Sequence, residues 1–217
     1  MNNPLVVFIH QPKSGGSTFT KGDKKQGILA RNCNHIRYPT QKVPAGGWDN
    51  ITAISGHFNL DLVKNSDHFK HREKIFFTFL RDPINRLLSF YYFVDRMETV
   101  EKWMIVNKQS LPNKMTYYLA SCKKLPTKYD LEKAKEILNN ITFGITEQYD
   151  TSLKLFQNKY PDIFKDISYE RLNVTKKKYS YDMQSDNVKN LLQEYNVLDK
   201  ELYKYAKKLF KERIDEL

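Results

Sequence analysis

Cysteine is scarce in this chain: Cys33 and Cys122 are the only two, with no Cys-x-x-Cys pair and no Cys/His cluster at ligand spacing. Neither a disulfide framework nor a zinc site is thereby suggested. Long apolar runs are missing too. Leu5–Ile9, the only such run near the N-terminus, is too short and lacks the basic flank of a signal peptide, and nothing approaches the ~18 residues of a membrane span. A cytoplasmic protein is expected. The 8 glycines and 8 prolines form no linker, and no repeat or low-complexity tract divides the chain, so residues 1–217 read as one domain. Acidic residues are outnumbered, 25 against 36 basic ones, leaving a net charge of +11. That balance calls for an anionic partner: nucleotide, polysaccharide, nucleic acid or membrane surface. The lysine clusters, such as Lys24-Lys25, Lys123-Lys124 and Lys207-Lys208, are as readily solvated faces. With 40% hydrophobic and 28% charged residues, the composition is globular.

What is present centres on Phe8-Ile-His-Gln-Pro-Lys-Ser-Gly-Gly-Ser-Thr-Phe19. Leu5–Ile9 reads as a buried strand. Gly15 and Gly16 let a backbone close around oxyanions, and Ser17 and Thr18 are helix-starting residues whose free N–H groups would point into the same turn. Lys13 adds a point charge. The order departs from the Walker A loop, because Lys13 precedes the two glycines. A phosphate site is expected and an ordinary ATPase is not; a tight strand-to-helix turn that binds nothing is the competing reading.

Short apolar strands alternate with helical patterns along the rest of the chain, which predicts an α/β fold with a central parallel sheet flanked by helices. Thr20–Asn32 reads as a weak helix, His35–Tyr38 and Ile51–Ser55 as strands, and Lys74–Leu80 as a strand covered on both faces. A helix follows, with Asp82 as N-cap, Pro83 at the first position, an apolar stripe of Ile84, Leu87, Leu88, Tyr91 and Tyr92, and Asn85, Arg86 and Ser89 on the other face. From there Ser89 looks back towards Arg81, and the two can grip one anion; alternatively Arg81 pairs with a carboxylate and Ser89 is a small surface residue. Further helices are expected at Glu98–Val106, Lys114–Ala120, Tyr129–Asn139, Glu147–Phe156, Asp186–Glu194 and Leu198–Ile214, with a last strand at Ile141–Ile145.

Pro12-Lys13-Ser14-Gly15-Gly16-Ser17-Thr18 resembles the 5′-phosphosulfate loop of sulfotransferases that use 3′-phosphoadenosine 5′-phosphosulfate (PAPS). Arg81-Asp82-Pro83-x-x-Arg86-x-x-Ser89-x-Tyr91-Tyr92 is similar to the 3′-phosphate motif of the same enzymes. Gly56-His57 falls between them, where the heparan sulfate 2-O-sulfotransferase type carries its catalytic histidine. Phe143–Glu147, Leu172–Lys176 and Leu198–Ala206 resemble later blocks. The resemblance implies a P-loop-like sheet and the co-substrate PAPS, with adenosine 3′,5′-bisphosphate as product. It implies that Lys13, Ser14, Gly15, Gly16, Ser17 and Thr18 hold the 5′-phosphosulfate and that Arg81 and Ser89 hold the 3′-phosphate. The basic loop Asn173–Lys178, with Lys176 and Lys177, would close over the nucleotide. Many relatives have Ser or Thr where this chain has Gly16, so one hydroxyl donor is missing.

The implied partners are an anionic nucleotide and a hydroxyl-bearing acceptor, a glycan in this family, and not nucleic acid; tyrosine, lipid or a small metabolite stays open as acceptor. His57 is the candidate base, since a neutral alcohol must lose its proton as it attacks and imidazole suits that task near neutrality. Lys13 would stabilise the leaving oxygen. No metal is expected, because Lys13, the helix N-terminus and Arg81 supply the positive field. A histidine that merely ends a strand is the bland alternative for His57. His35 and Arg37 are candidates to face the acceptor, although loop exposure explains them as well. His10, His68 and His71 receive no role, and Trp48 and Trp103 are core residues or sugar platforms. Two other classes compete: a small-molecule or nucleotide kinase, which needs a Walker-type lysine the sequence lacks, and a non-catalytic polyanion binder that uses the charge alone.

Overall fold

The computed structural model describes residues 4–20, 27–39, 47–94, 99–170 and 180–217. Five strands form one all-parallel sheet: β1 (Leu5–Ile9), β2 (His35–Arg37), β3 (Ala53–Gly56), β4 (Lys74–Leu80) and β5 (Thr142–Ile145), in the order β2-β3-β1-β4-β5. The central strand explains itself from its sequence. All five residues of β1 are apolar and buried, as a strand covered on both faces requires. Register aligns Ile9 with Gly56 of β3 and with Thr78 of β4, and Leu80 with Ile145 of β5. The ends of β3, β1, β4 and β5 therefore finish at neighbouring positions along one edge. Thr78, fully buried, locks that edge by donating its hydroxyl to the Ile9 carbonyl at 2.8 Å.

Helices cover both faces. They are α1 (Gly16–Thr20), α2 (Ile28–Asn32), α3 (Leu60–Lys64), α4 (Pro83–Val94), α5 (Val100–Val106), α6 (Lys114–Ala120), α7 (Lys128–Asn140), α8 (Tyr149–Lys159), α9 (Asp186–Glu194) and α10 (Val197–Asp215). On one face Phe8, Phe77 and Phe79 receive Phe19 of α1 and Phe156 of α8, with ring centroids between 4.6 and 5.6 Å apart. On the other, Phe143 meets Phe210 of α10 at 6.3 Å. Residues of α6, α7 and α10 such as Leu119, Leu138 and Leu202 complete that side of the core. A second cluster joins α4, α5 and α9 through Leu87, Tyr91, Trp103 and Leu192.

The expected strands are present, with β4 running from Lys74 to Leu80 as read from the sequence. The weak helix over Thr20–Asn32 resolves into α1 and α2, with residues 21–26 outside the described set. α4 begins at Pro83, and Asp82 Oδ1 accepts the Asn85 N–H at 2.9 Å, the cap the sequence predicts. One expectation for α4 needs correction. Asn85 is exposed, but Arg86 and Ser89, placed on the same polar face, are buried at 1% and 5% exposure. The reason lies over a hundred residues away. Asp199, buried on the first turn of α10, is the opposite charge that offsets the burial of Arg86. Its carboxylate also accepts from Met115 N, Thr116 N and Thr116 Oγ1 at 2.8–2.9 Å. In return, Asn113 Oδ1 accepts from Leu198 N and Asp199 N at 2.9 and 3.1 Å. The N-termini of α6 and α10 cap each other, each supplying the acceptor the other lacks. Among the described residues no helix is long and apolar enough to cross a membrane.

Candidate active site

The turn after β1 has the conformation its glycine content anticipates, with one addition. Gly15 has φ +77°, and a Cβ there would stand 3.0 Å from the Tyr149 ring. Lys13 is also left-handed at φ +66°, a region that L-residues enter at a cost of about 1–2 kcal/mol. Two contacts hold the turn in place. Tyr149 donates its hydroxyl to the Gly15 carbonyl at 3.3 Å, and Arg81 Nη1 donates to the Lys13 carbonyl at 3.0 Å. The second contact joins the two stretches that the sequence singled out, 68 residues apart.

The side chains around the turn leave polar groups unmatched. Lys13 Nζ lies 4.0 Å above the ring of Phe93, and among the described residues it has no carboxylate partner. Burial, and then the charge of Arg81, hold its pKa below the usual lysine value. Arg81 is lowered by burial, with Glu147 and Asp82 opposing the shift. Those two carboxylates are engaged elsewhere: Asp82 caps α4, while Glu147 accepts from Asp82 N at 3.0 Å and from the Tyr203 hydroxyl at 2.7 Å. Ser14 Oγ and both polar atoms of the Gln11 carboxamide are buried without a hydrogen-bond partner among the described residues. Two neighbouring cations and unmatched buried polar atoms thus gather around a glycine turn, a set that can interact with an oxyanion. Gly16 and Ser17 open α1, where backbone N–H groups have no intrahelical acceptor.

His57 follows the last residue of β3 and is exposed. Its Nδ1 lies 2.6 Å from the His10 carbonyl oxygen. A carbonyl only accepts, so Nδ1 is the donor, and in the neutral ring Nε2 is the bare nitrogen. That tautomer is the one a general base needs. His10 itself, to which sequence reasoning gave no role, packs its ring against that of His57 with centroids 4.4 Å apart. The signal was available only as register: Ile9 and Gly56 are partners, so the residues after them are neighbours.

The remaining candidates spread out. Ser89 is buried on α4. His35 turns into the sheet, with Nε2 2.7 Å from Ser55 Oγ, and burial lowers its pKa to about 4. Arg37 ends β2, exposed, and its charge reaches His10. Trp103 is core; Trp48 stacks on His68 at 4.6 Å. The basic loop with Lys176 and Lys177 lies outside the described residues. Among the described residues no group of three His, Cys, Asp or Glu side chains is placed to hold a metal. Comparison with protein-family models and with curated proteins returned no match for this chain.

Proposed function

We propose that the chain is a PAPS-dependent sulfotransferase on a P-loop-like sheet, moving a sulfuryl group to an acceptor hydroxyl, of a carbohydrate in the first instance. One observation carries the reading: Arg81 bonds the Lys13 carbonyl and its charge acts on the Lys13 ammonium, so two cations that follow separate strands lie near each other at the C-terminal edge of a parallel sheet with their neighbouring carboxylates already engaged. Ligands of open α/β sheets bind at that edge. A nucleotide carrying two anionic groups suits two neighbouring cations on different elements, and the Ser14 hydroxyl adds a donor on the glycine-turn side.

In this reading Lys13, Ser14, Gly15, Gly16, Ser17 and Thr18 take the phosphosulfate, and Arg81 and Ser89 take the 3′-phosphate. The acceptor O–H gives its proton to Nε2 of His57 while its oxygen bonds to sulfur. The bond from sulfur to the bridging oxygen breaks, and its electron pair stays with the phosphate of the leaving adenosine 3′,5′-bisphosphate. Lys13 offsets the charge that grows there. The Nδ1–H bond of His57 to the His10 carbonyl keeps the receiving nitrogen free.

The test is transfer of labelled sulfate from PAPS to a glycan panel and to cell extract. Wild-type protein labels an acceptor, and His57→Ala lowers turnover by roughly 100-fold or more while retaining adenosine 3′,5′-bisphosphate binding. Undiminished labelling by His57→Ala removes His57 from the role of base.

A further inference from the structure

Three groups meet where β1 and β3 end: the His10 ring, the Cα of Gly16 and the His57 ring. A Cβ added to residue 16 would fall 2.1 Å from His10 Cδ2 and 2.3 Å from Nε2, so the imidazole occupies the space in which a side chain at position 16 would begin. The same ring lies against His57, with 4.4 Å between centroids and 35° between planes. Its main chain is fixed as well. His10 N donates to the Gly56 carbonyl at 2.9 Å, and the His10 carbonyl accepts from His57 Nδ1. Phe8 backs it at 5.8 Å.

The charged and titratable groups that act on His10 are His57 from β3, Arg37 from β2 and Lys13 from the glycine turn. Burial, and behind it the electrostatic influence of His57, Arg37 and Lys13, lowers the His10 pKa to about 3. At neutral pH the ring is uncharged. It therefore neither competes with His57 for the acceptor proton nor adds a charge beside it.

We propose that His10 is a positioning residue: its carbonyl selects the His57 tautomer, its ring holds the His57 ring in place, and Gly16 is the gap that admits that ring. The glycine that the sequence presents as a lost hydroxyl donor is the condition for one ring to touch both the anion loop and the base. This deepens the sulfotransferase reading and rests on it for its kinetic consequence, while its structural content stands apart from catalysis.

The experiment combines a double-mutant cycle with nitrogen NMR of the His57 ring. In the wild-type protein, ¹⁵N shifts of His57 show Nδ1 protonated and Nε2 bare. His10→Ala keeps the backbone carbonyl but removes the ring that holds His57 against it, so the Nδ1–H bond loosens, the shifts move towards a tautomer mixture, and turnover of labelled PAPS falls roughly 10- to 100-fold, the usual size of a lost orienting partner, with KM for PAPS changed less than about threefold. Retained adenosine 3′,5′-bisphosphate binding verifies that the variant is folded. His10→Phe, which restores a flat ring, recovers most of the turnover. Gly16→Ala pushes the His10 ring aside and reproduces the loss, whereas adding Gly16→Ala to His10→Ala has little further effect, because the clash has gone. Unchanged His57 shifts in His10→Ala, or fully additive losses in the cycle, overturn the proposal. If the wild-type protein transfers no sulfate at all, the NMR arm still decides the positioning claim, and only the sulfotransferase reading falls.

Discussion

Lys13 combines a left-handed backbone with a half-buried cation beside Arg81, two unfavourable features at one residue. Both make sense if the position is kept for an anion and not for stability. Lys13→Gly and Lys13→Ala should each weaken nucleotide binding, but the glycine variant should be the more stable of the two by about 1 kcal/mol, since only glycine accepts φ +66° without strain. Urea unfolding of the pair checks this; equal midpoints would contradict the left-handed assignment. Much of the site is legible at this scale. The contact between Lys13 and Arg81 joins two stretches whose residue types mark them in the sequence, and His57 follows a strand that lies between those stretches in the chain. His10 is not legible, because its role comes from β1 lying beside β3, and nothing local to Ile-His-Gln reports a neighbour 47 residues away.

Elements with strong local signals, β4, α4, α6 and α9, were readable from the chain alone because caps, proline placement and apolar periodicity agree. The burial of Arg86 was not, since helical spacing places it with Asn85 and the partner that overrides this lies on α10. Asp199 is buried, and burial raises its pKa against the opposing pull of Arg86 and three hydrogen bonds. Removing it strips the cap from α6 and leaves a buried guanidinium unopposed. Asp199→Ala should therefore destabilise the protein by about 3–5 kcal/mol. Chemical denaturation reads this directly; a loss below about 1 kcal/mol would mean that Arg86 does not depend on Asp199. Because Arg86 belongs to the helix that carries Ser89, a smaller and separate fall in nucleotide affinity is expected.

At the scale of the whole molecule, folding buries two histidines that the unfolded chain can protonate. The pKa of His10 falls to about 3 and that of His35 to about 4, from an ordinary 6.5. Between these values the unfolded state binds more protons than the native one, so stability is full above about pH 6.5 and declines as the pH drops towards 4. His35→Gln should reduce the stability lost between pH 7 and pH 5 by about 2 kcal/mol, measured as the difference between urea unfolding free energies at the two values. An unaltered pH slope would show that His35 is not held neutral. The parallel sheet was legible from the alternation of strands and helices, but its strand order was not, and that order is what brings β3, β1 and β4 to one edge. The central claim is that this edge holds a nucleotide by both of its anionic ends. Isothermal calorimetry with adenosine 3′,5′-bisphosphate, 5′-AMP and ATP with magnesium tests it most directly. The account predicts that adenosine 3′,5′-bisphosphate binds at least about tenfold more tightly than 5′-AMP, an advantage worth about 1.4 kcal/mol that Arg81→Ala abolishes. Preference for ATP with magnesium, or binding indifferent to the 3′-phosphate, would contradict it.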